Sequence, residues 1–318
     1  MKFLIIKSSS LGDIIHAFKA LAYLRYKCPY AQIDWVVEKP CKILVERHPM
    51  VDNVHVIDTK KWRKTWWKNS GFKLPDYDFV FDLQGNIKSA WILSKVSAKL
   101  KIGFGWKSVP EWPNWFFTNK KVNPPPGQNI RDDYLSVIRS FFNDESVFKE
   151  DPFLFDLKPK ELEVVNSIPA GVTLVCPSAA WKNKQLPDEA LLAELKRFCG
   201  PFYFSWGTKL EKKRVERLAA KMPNAQVLMQ VNLPILQHLM EKAALVITMD
   251  SLPLHLCGTT STASLSFFGP SKALKYIPQG AQHKYIEGSC PYNQVFEKRC
   301  PRLRSCQSAD CINALKSR

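Results

Sequence analysis

The chain has 318 residues, 46% hydrophobic and 12% aromatic, a composition that folds and a length that suits two domains better than one core. Lys and Arg number 46 against 29 Asp and Glu, a formal net charge of +17 that favours anionic partners: phosphorylated substrates, nucleic acid or an acidic membrane face. No run approaches the roughly 18 uninterrupted apolar residues of a membrane-spanning helix. The opening MKFLIIKSSSLGD carries too short an apolar stretch for a signal peptide, and nine cysteines without an export signal read as reduced thiols. The expected location is the cytoplasm, free or peripheral on a membrane.

In chain order, Phe3 to Lys7 is a short apolar strand, followed by a Ser/Gly loop. Ile14, Ile15, Phe18, Leu21 and Leu24 then recur at helical spacing. Ile33 to Val37, Val54 to Ile57 and Phe79 to Leu83 read as further strands with helical segments between them, which predicts a parallel sheet covered on both faces. The turn Pro124-Pro125-Pro126-Gly127 precedes a helix over Asp133 to Phe142. The polar segment Asp151 to Glu163 then places a domain boundary, giving domains 1–157 and 158–318. The pattern restarts with strands at Thr173 to Cys176, Phe202 to Trp206, Leu245 to Thr248 and Ser264 to Phe268. The expected fold is α/β, two Rossmann-like doubly wound domains, with ligands at the strand carboxyl ends facing a central cleft.

The loops at those ends carry the chemistry. In Lys7-Ser8-Ser9-Ser10-Leu11-Gly12-Asp13, small residues let a helix N-terminus approach a ligand, and Asp13 is either a carboxylate for that ligand or an ordinary helix cap. Thr59 to Leu74 interleaves Lys60, Lys61, Arg63, Lys64, Lys68 and Lys73 with Trp62, Trp66 and Trp67. It is a grip for phosphates or an anionic membrane, or a solvated basic loop. Cys176-Pro177-Ser178 ends a strand and leads to Lys184, just before a Pro-started helix, where a cation suits a diphosphate or stands as a surface bystander. Met249-Asp250-Ser251-Leu252-Pro253-Leu254-His255 and Phe267-Phe268-Gly269-Pro270-Ser271 also follow strands. Their hydroxyls and backbone N–H groups suit a leaving pyrophosphate, and His255 reads equally as a neutral core residue. Cys290, Cys300, Cys306 and Cys311 contain no C-x-x-C pair. They match a zinc site poorly and read as structural thiols, with a disulfide or metal as the alternative.

Taken together, LIIKSSSLGDIIHAFKAL, IDWVVE, KKWRKTWW, FDLQGNIKSA, MDSLPLHL and FFGPS resemble glycosyltransferase family 9, the ADP-heptose:lipopolysaccharide heptosyltransferases, over nearly the whole chain. The first half is closest to the type I branch, and the four-cysteine tail looks more like type II. The resemblance implies a GT-B architecture, with an N-terminal acceptor-binding domain and a C-terminal nucleotide-sugar domain whose last helix packs back on the first. It implies inverting transfer of L-glycero-D-manno-heptose from ADP-heptose, a substrate and not a cofactor, to the Kdo region of the lipopolysaccharide inner core, with no metal. Asp13 is then the general base. Ser178, Lys184, Glu211, Asp250, Ser251, His255 and Gly269 match donor positions. Ser10, Gly12, Lys60, Lys61, Arg63, Lys64, Gln84 and Lys88 match acceptor positions. The implied partners are an ADP-sugar, a Kdo-lipid A-type acceptor and the anionic cytoplasmic face of the inner membrane. Two departures stand out: Leu252 where the family usually has Gly, and Leu186 where Trp commonly precedes the proline. Competing readings are a type II or other nucleotide-sugar transferase of the same fold, and a non-catalytic nucleic-acid-binding protein; the last leaves the strand-end loops unexplained.

Overall fold

The structure is a computed structural model that describes residues 1–59, 73–294, 296–302, 305–306, 310–313 and 315. The chain divides into two compact units, Met1–Asp151 and Pro152–Arg318. Residues 157 and 158, where sequence reasoning sets the boundary, lie just inside the second unit, ahead of a helix that begins at Pro159.

The first unit runs β1 (Lys2–Ile6), α1 (Leu11–Lys27), β2 (Gln32–Glu38), α2 (Lys42–Glu46), β3 (Asn53–Ile57), β4 (Tyr77–Asp82), α3 (Ile87–Ser94), β5 (Ala98–Phe104), β6 (Lys120–Val122) and α4 (Ile130–Phe142). Its strands pair in parallel in the order β3-β2-β1-β4-β5-β6. Successive strands are added on one side of β1 and then on the other, so β1 and β4 flank the switch point at which doubly wound sheets open a crevice beyond their carboxyl ends. The position of β1 explains its unbroken apolar run: Phe3, Leu4, Ile5 and Ile6 are fully buried, as a strand covered on both faces requires. Phe3 stacks on Phe79 at 5.4 Å and meets the edge of Phe141 from α4 at 6.0 Å. The long helix α1 lies beside α4, tied to it by Lys19 to Asp132 at 2.6 Å. Its Phe18 packs on Trp35 and His48.

The second unit contains α5 (Pro159–Ser167), β7 (Thr173–Cys176), α6 (Asp188–Leu195), β8 (Phe202–Phe204), α7 (Lys209–Ala219), β9 (Ala225–Val227), α8 (Leu233–Lys242), β10 (Leu245–Met249), α9 (Leu252–Cys257), β11 (Ser264–Phe268), α10 (Ala273–Tyr276), β12 (His283–Glu287) and α11 (Asp310–Asn313). Its sheet is again six-stranded and parallel, in the order β12-β11-β10-β7-β8-β9, which puts the switch point between β7 and β10. One core cluster joins Val175, Leu191, Phe204, Leu218, Ile247 and Phe267, and Ile312 of α11 belongs to it. Gln237 of α8 fixes the start of the unit. It accepts from the Phe155 N–H at 2.7 Å and donates to the Phe153 carbonyl at 3.0 Å.

Four strands escape the sequence reading: β5, β6, β9 and β12. They are sheet-edge or near-edge strands, short or interrupted by lysine, so they lack the continuous apolar signal that double burial imposes on β1 and β10.

Candidate active site

At the first switch point the loop after β1 is built around buried polar groups. Gln84, which follows β4, accepts through Oε1 from the Ser8 N–H at 3.0 Å and the Ser9 N–H at 3.2 Å, so two strand-end loops are fastened together. Ser10 caps α1, and Asp13 answers it: Asp13 Oδ2 accepts from Ser10 Oγ at 2.7 Å and from the Ser10 N–H at 3.2 Å. The two readings of Asp13 are therefore compatible. The carboxylate is held in one orientation by its own helix start, beside the crevice-forming end of the sheet. Gly12 lies in the same first turn of α1.

Within electrostatic reach of Asp13 is Lys7, which the sequence places at the end of a strand and the start of this loop with no role of its own. Its side chain is buried, with the ammonium 4.9 Å from the centre of the Tyr134 ring. Burial pushes its pKa down, against the opposing pull of Asp13 and Asp82. Asp82 is itself fully buried. It accepts from the Gln84 and Gly85 N–H groups at 2.9 and 3.1 Å, from Ser89 Oγ at 2.8 Å and from Asn114 Nδ2 at 2.6 Å. Burial drives its pKa up in spite of these four donors. Asp82 shapes the turn that presents Gln84; it lies within the segment FDLQGNIKSA, where nothing local marks it as a buried support.

Lys88 is exposed, and its ammonium lies 3.5 Å from Glu38 at the end of β2. Glu38 also accepts from the Thr59 N–H and hydroxyl, which fastens the last described residue before the basic segment. Lys60, Lys61, Arg63 and Lys64 lie outside the described residues. Ser10, Gly12, Asp13, Gln84 and Lys88 thus belong to one connected end of the first unit, with Lys7, Glu38 and Asp82 as their unanticipated support.

At the second switch point, Lys184 and Asp250 meet. Lys184 sits in the loop after β7 and Asp250 directly after β10; the ammonium is 2.5 Å from Asp250 Oδ2, and both side chains are buried. Burial raises the Asp250 pKa, but the charges of Lys184 and His255, with hydrogen bonds from Lys184 and Ser271, carry the net shift below the ordinary carboxylate value. The loop bearing Lys184 is clamped by Arg214 of α7, another residue missed in the sequence. Its guanidinium donates to Asp188 at 2.7 Å, to the Pro177 and Leu186 carbonyls at 2.9 and 2.8 Å, and to Gln185 Oε1 at 2.5 Å. Ser178, inside that clamp, keeps a buried hydroxyl oxygen that makes no hydrogen bond among the described residues.

Ser251 caps α9 and Leu252 is its first helical residue, while His255 is buried one turn on. Glu211 closes a capping box at the start of α7, accepting from the Gly207 and Thr208 N–H groups at 2.8 and 2.9 Å. Gly269 is placed under the C-terminal tail: a Cβ there would stand 3.1 Å from Ile312 Cβ, 3.3 Å from the Asn183 carbonyl and 3.3 Å from Cys311 Sγ. Its lack of a side chain thus serves packing of α11.

All nine cysteines are free. Cys290, Cys300, Cys306 and Cys311 line one small cavity in the second unit. Burial pushes the Cys311 thiol up to about 11. Among the described residues, no group of three or more His, Cys, Asp or Glu is arranged to hold a metal ion. Likewise, no described helix is long and apolar enough to cross a membrane.

Comparison with known proteins gives this geometry its context. The lipopolysaccharide heptosyltransferase 1 of Pseudomonas aeruginosa is 28% identical over 314 residues, covering 94% of this chain and 87% of the relative. The protein of that name from Escherichia coli K12 is 25% identical over 286 residues, covering 85% and 88%. Among solved structures, the E. coli heptosyltransferase WaaC with ADP-2-deoxy-2-fluoro heptose superposes with a TM-score of 0.76 at 22% identity, over 91% of this chain and 94% of that one. The E. coli ADP-heptose lipopolysaccharide heptosyltransferase II does so with a TM-score of 0.70 at 17% identity, over 99% and 98%. These likenesses establish the GT-B fold. The profile of glycosyltransferase family 9 (heptosyltransferase) matches residues 71–304, nearly three quarters of the sequence, and the chain belongs to that family of glycosyltransferases.

Proposed function

We propose that this glycosyltransferase moves L-glycero-D-manno-heptose from ADP-heptose to the Kdo region of a Kdo-lipid A-type acceptor, with inversion and without a metal. The observation that carries the reading is the pairing of Lys184 with Asp250 at the switch point of the second unit, where a doubly wound sheet takes its ligand. A lysine ammonium has three N–H donors. Asp250 orients it, and the donor diphosphate takes up the donors that Asp250 leaves. The Ser178 hydroxyl, buried and without a partner among the described residues, is suited to the same diphosphate. Ser251, His255, Glu211 and Gly269 complete the proposed donor side.

On the acceptor side, Asp13 removes the proton from the attacking hydroxyl as the bond to the anomeric carbon forms and the bond to the diphosphate oxygen breaks. Ser10 fixes the carboxylate for this task, and the Lys7 ammonium stands near enough to act on its charge. Gln84, Lys88 and Gly12 shape the acceptor end, and Lys60, Lys61, Arg63 and Lys64 supply charge for its phosphates. The protein works at the cytoplasmic face of the inner membrane, bound peripherally by a surface whose excess of Lys and Arg matches anionic lipid.

The deciding experiment offers ADP-heptose with either Kdo-lipid A or Kdo-lipid A already carrying one heptose. Product from the first acceptor alone supports the reading. Product from the second alone assigns a type II activity, and no product from either acceptor, with product once another sugar nucleotide replaces ADP-heptose, overturns the donor.

A further inference from the structure

We infer that the segment Trp106–Phe117 is a membrane-docking platform that seats the first unit on a bilayer bearing anionic headgroups; this rests on the proposed lipid-linked acceptor. The segment leaves the carboxyl end of β5 and returns to β6, on the sheet end that also carries the loops of Asp13 and Gln84. It is dense in large aromatic rings turned to solvent: Trp106 is 64% exposed, Trp112 60%, Phe116 66% and Phe117 41%. The rings form one surface. Trp106 meets Trp115 edge-on at 6.2 Å, Trp115 meets Phe116 at 5.4 Å, and Phe116 meets Trp112 at 6.0 Å. Ile87, 59% exposed, adjoins them, since its N–H donates to Glu111 at 2.8 Å. Scattered exposed apolar residues need no explanation, but contiguous rings do.

Two further features select a lipid surface. Lys107 is exposed next to Trp106 in the chain, and Lys121 lies over Trp115 at 4.3 Å, so cationic side chains border an aromatic centre as they do at membrane interfaces. The platform is also held rigid from below. Asn114, fully buried beneath the rings, donates to Asp82 at 2.6 Å and Ser89 at 3.0 Å, and the Glu111 N–H donates to the Gly85 carbonyl at 3.1 Å. A surface ordered before it binds gives up little conformational freedom on docking. Because Asp82 and Gly85 also shape the turn that presents Gln84, docking sets the acceptor end of the sheet at the bilayer surface.

The test is sedimentation with vesicles of zwitterionic lipid containing a quarter anionic phospholipid, using the full chain and the variant Trp106→Ser/Trp112→Ser/Phe116→Ser. The wild type binds. The variant loses roughly tenfold or more in partition, the loss expected when three side chains no longer bury apolar area. Its transfer to a deacylated, water-soluble acceptor stays unchanged, which separates docking from the proposed reaction. A variant that partitions like wild type overturns the platform, as does a wild type that ignores the vesicles. Hydrogen exchange on the wild type gives a check that needs no variant: amides of residues 105–119 slow on vesicles if the platform docks, and unaltered exchange there refutes it.

Discussion

Replacing Asp250 by Ala tests the buried pair on which the donor site is built. Asp250 is 4% exposed and Lys184 8%, so the variant strands an ammonium in the interior of the second unit. Breaking such a pair from one side costs about 3–5 kcal/mol, far more than an exposed ion pair contributes. For a unit of this size, about 3 kcal/mol corresponds to a fall of roughly 6–12 °C in the melting temperature of that transition. Calorimetry of Asp250→Ala, Lys184→Met and the double variant Lys184→Met/Asp250→Leu separates stability from function. The single variants melt early, and the double variant regains most of the loss because neither charge is stranded. It still fails to bind ADP, since the lysine is gone. The pair also has a signature in acid. The folded-state pKa of Asp250 lies below its unfolded value, so its stabilisation is complete above the ordinary carboxylate value near 4 and is lost as pH falls through the folded one. Asp250→Ala should flatten that acid limb. A melting temperature unchanged to within a degree, with an unaltered acid limb, refutes the pairing.

Arg214→Ala should free the loop from Pro177 to Leu186 and weaken ADP binding at least about fivefold by titration calorimetry, Arg214→Lys doing so less because a lysine cannot span the same acceptors. His48 is held neutral: burial lowers its pKa to about 3, and its Nδ1 accepts from the Met50 N–H at 3.1 Å. With the folded value below the unfolded one, this contribution is complete above about pH 6.5 and drains away as pH falls toward 3, so His48→Leu should flatten the pH dependence of the first unit's melting in that window. Gly269→Ala should press on Ile312 and Asn183, costing about 1–2 kcal/mol and making the C-terminal tail an early site of limited proteolysis; a tail as resistant as wild type would contradict the packing assigned to that glycine.

The sequence speaks plainly where burial imposes a pattern. Phe3 to Ile6 had to be apolar at every position because β1 is covered on both faces, and the Ser10-to-Asp13 spacing is itself the geometry of a capping box. Much of the site is written less openly. Lys184 and Asp250 are each visible at a strand end, yet their partnership spans 66 residues of chain. Asp82 and Asn114 are separated by 32 residues, and Arg214 lies in a helix rich in exposed charge, where one half-buried guanidinium looks like its neighbours. Glu38 reads as the polar end of a strand until Thr59 and Lys88 are seen to converge on it. The aromatic platform has a dense composition, WPNWFF, but exposure is a property of the folded chain, and the same residues could have filled a core.

The central claim is that Asp13 acts as the base of a heptose transfer from ADP-heptose. Its most direct test is the transfer rate of Asp13→Asn, which keeps the shape of the side chain, measured beside ADP affinity in the same preparation. The account predicts a rate lower by about 10²–10⁴-fold, the usual worth of a positioned base, with ADP affinity unchanged. Transfer within a fewfold of wild type would contradict it and leave Asp13 as a helix cap alone.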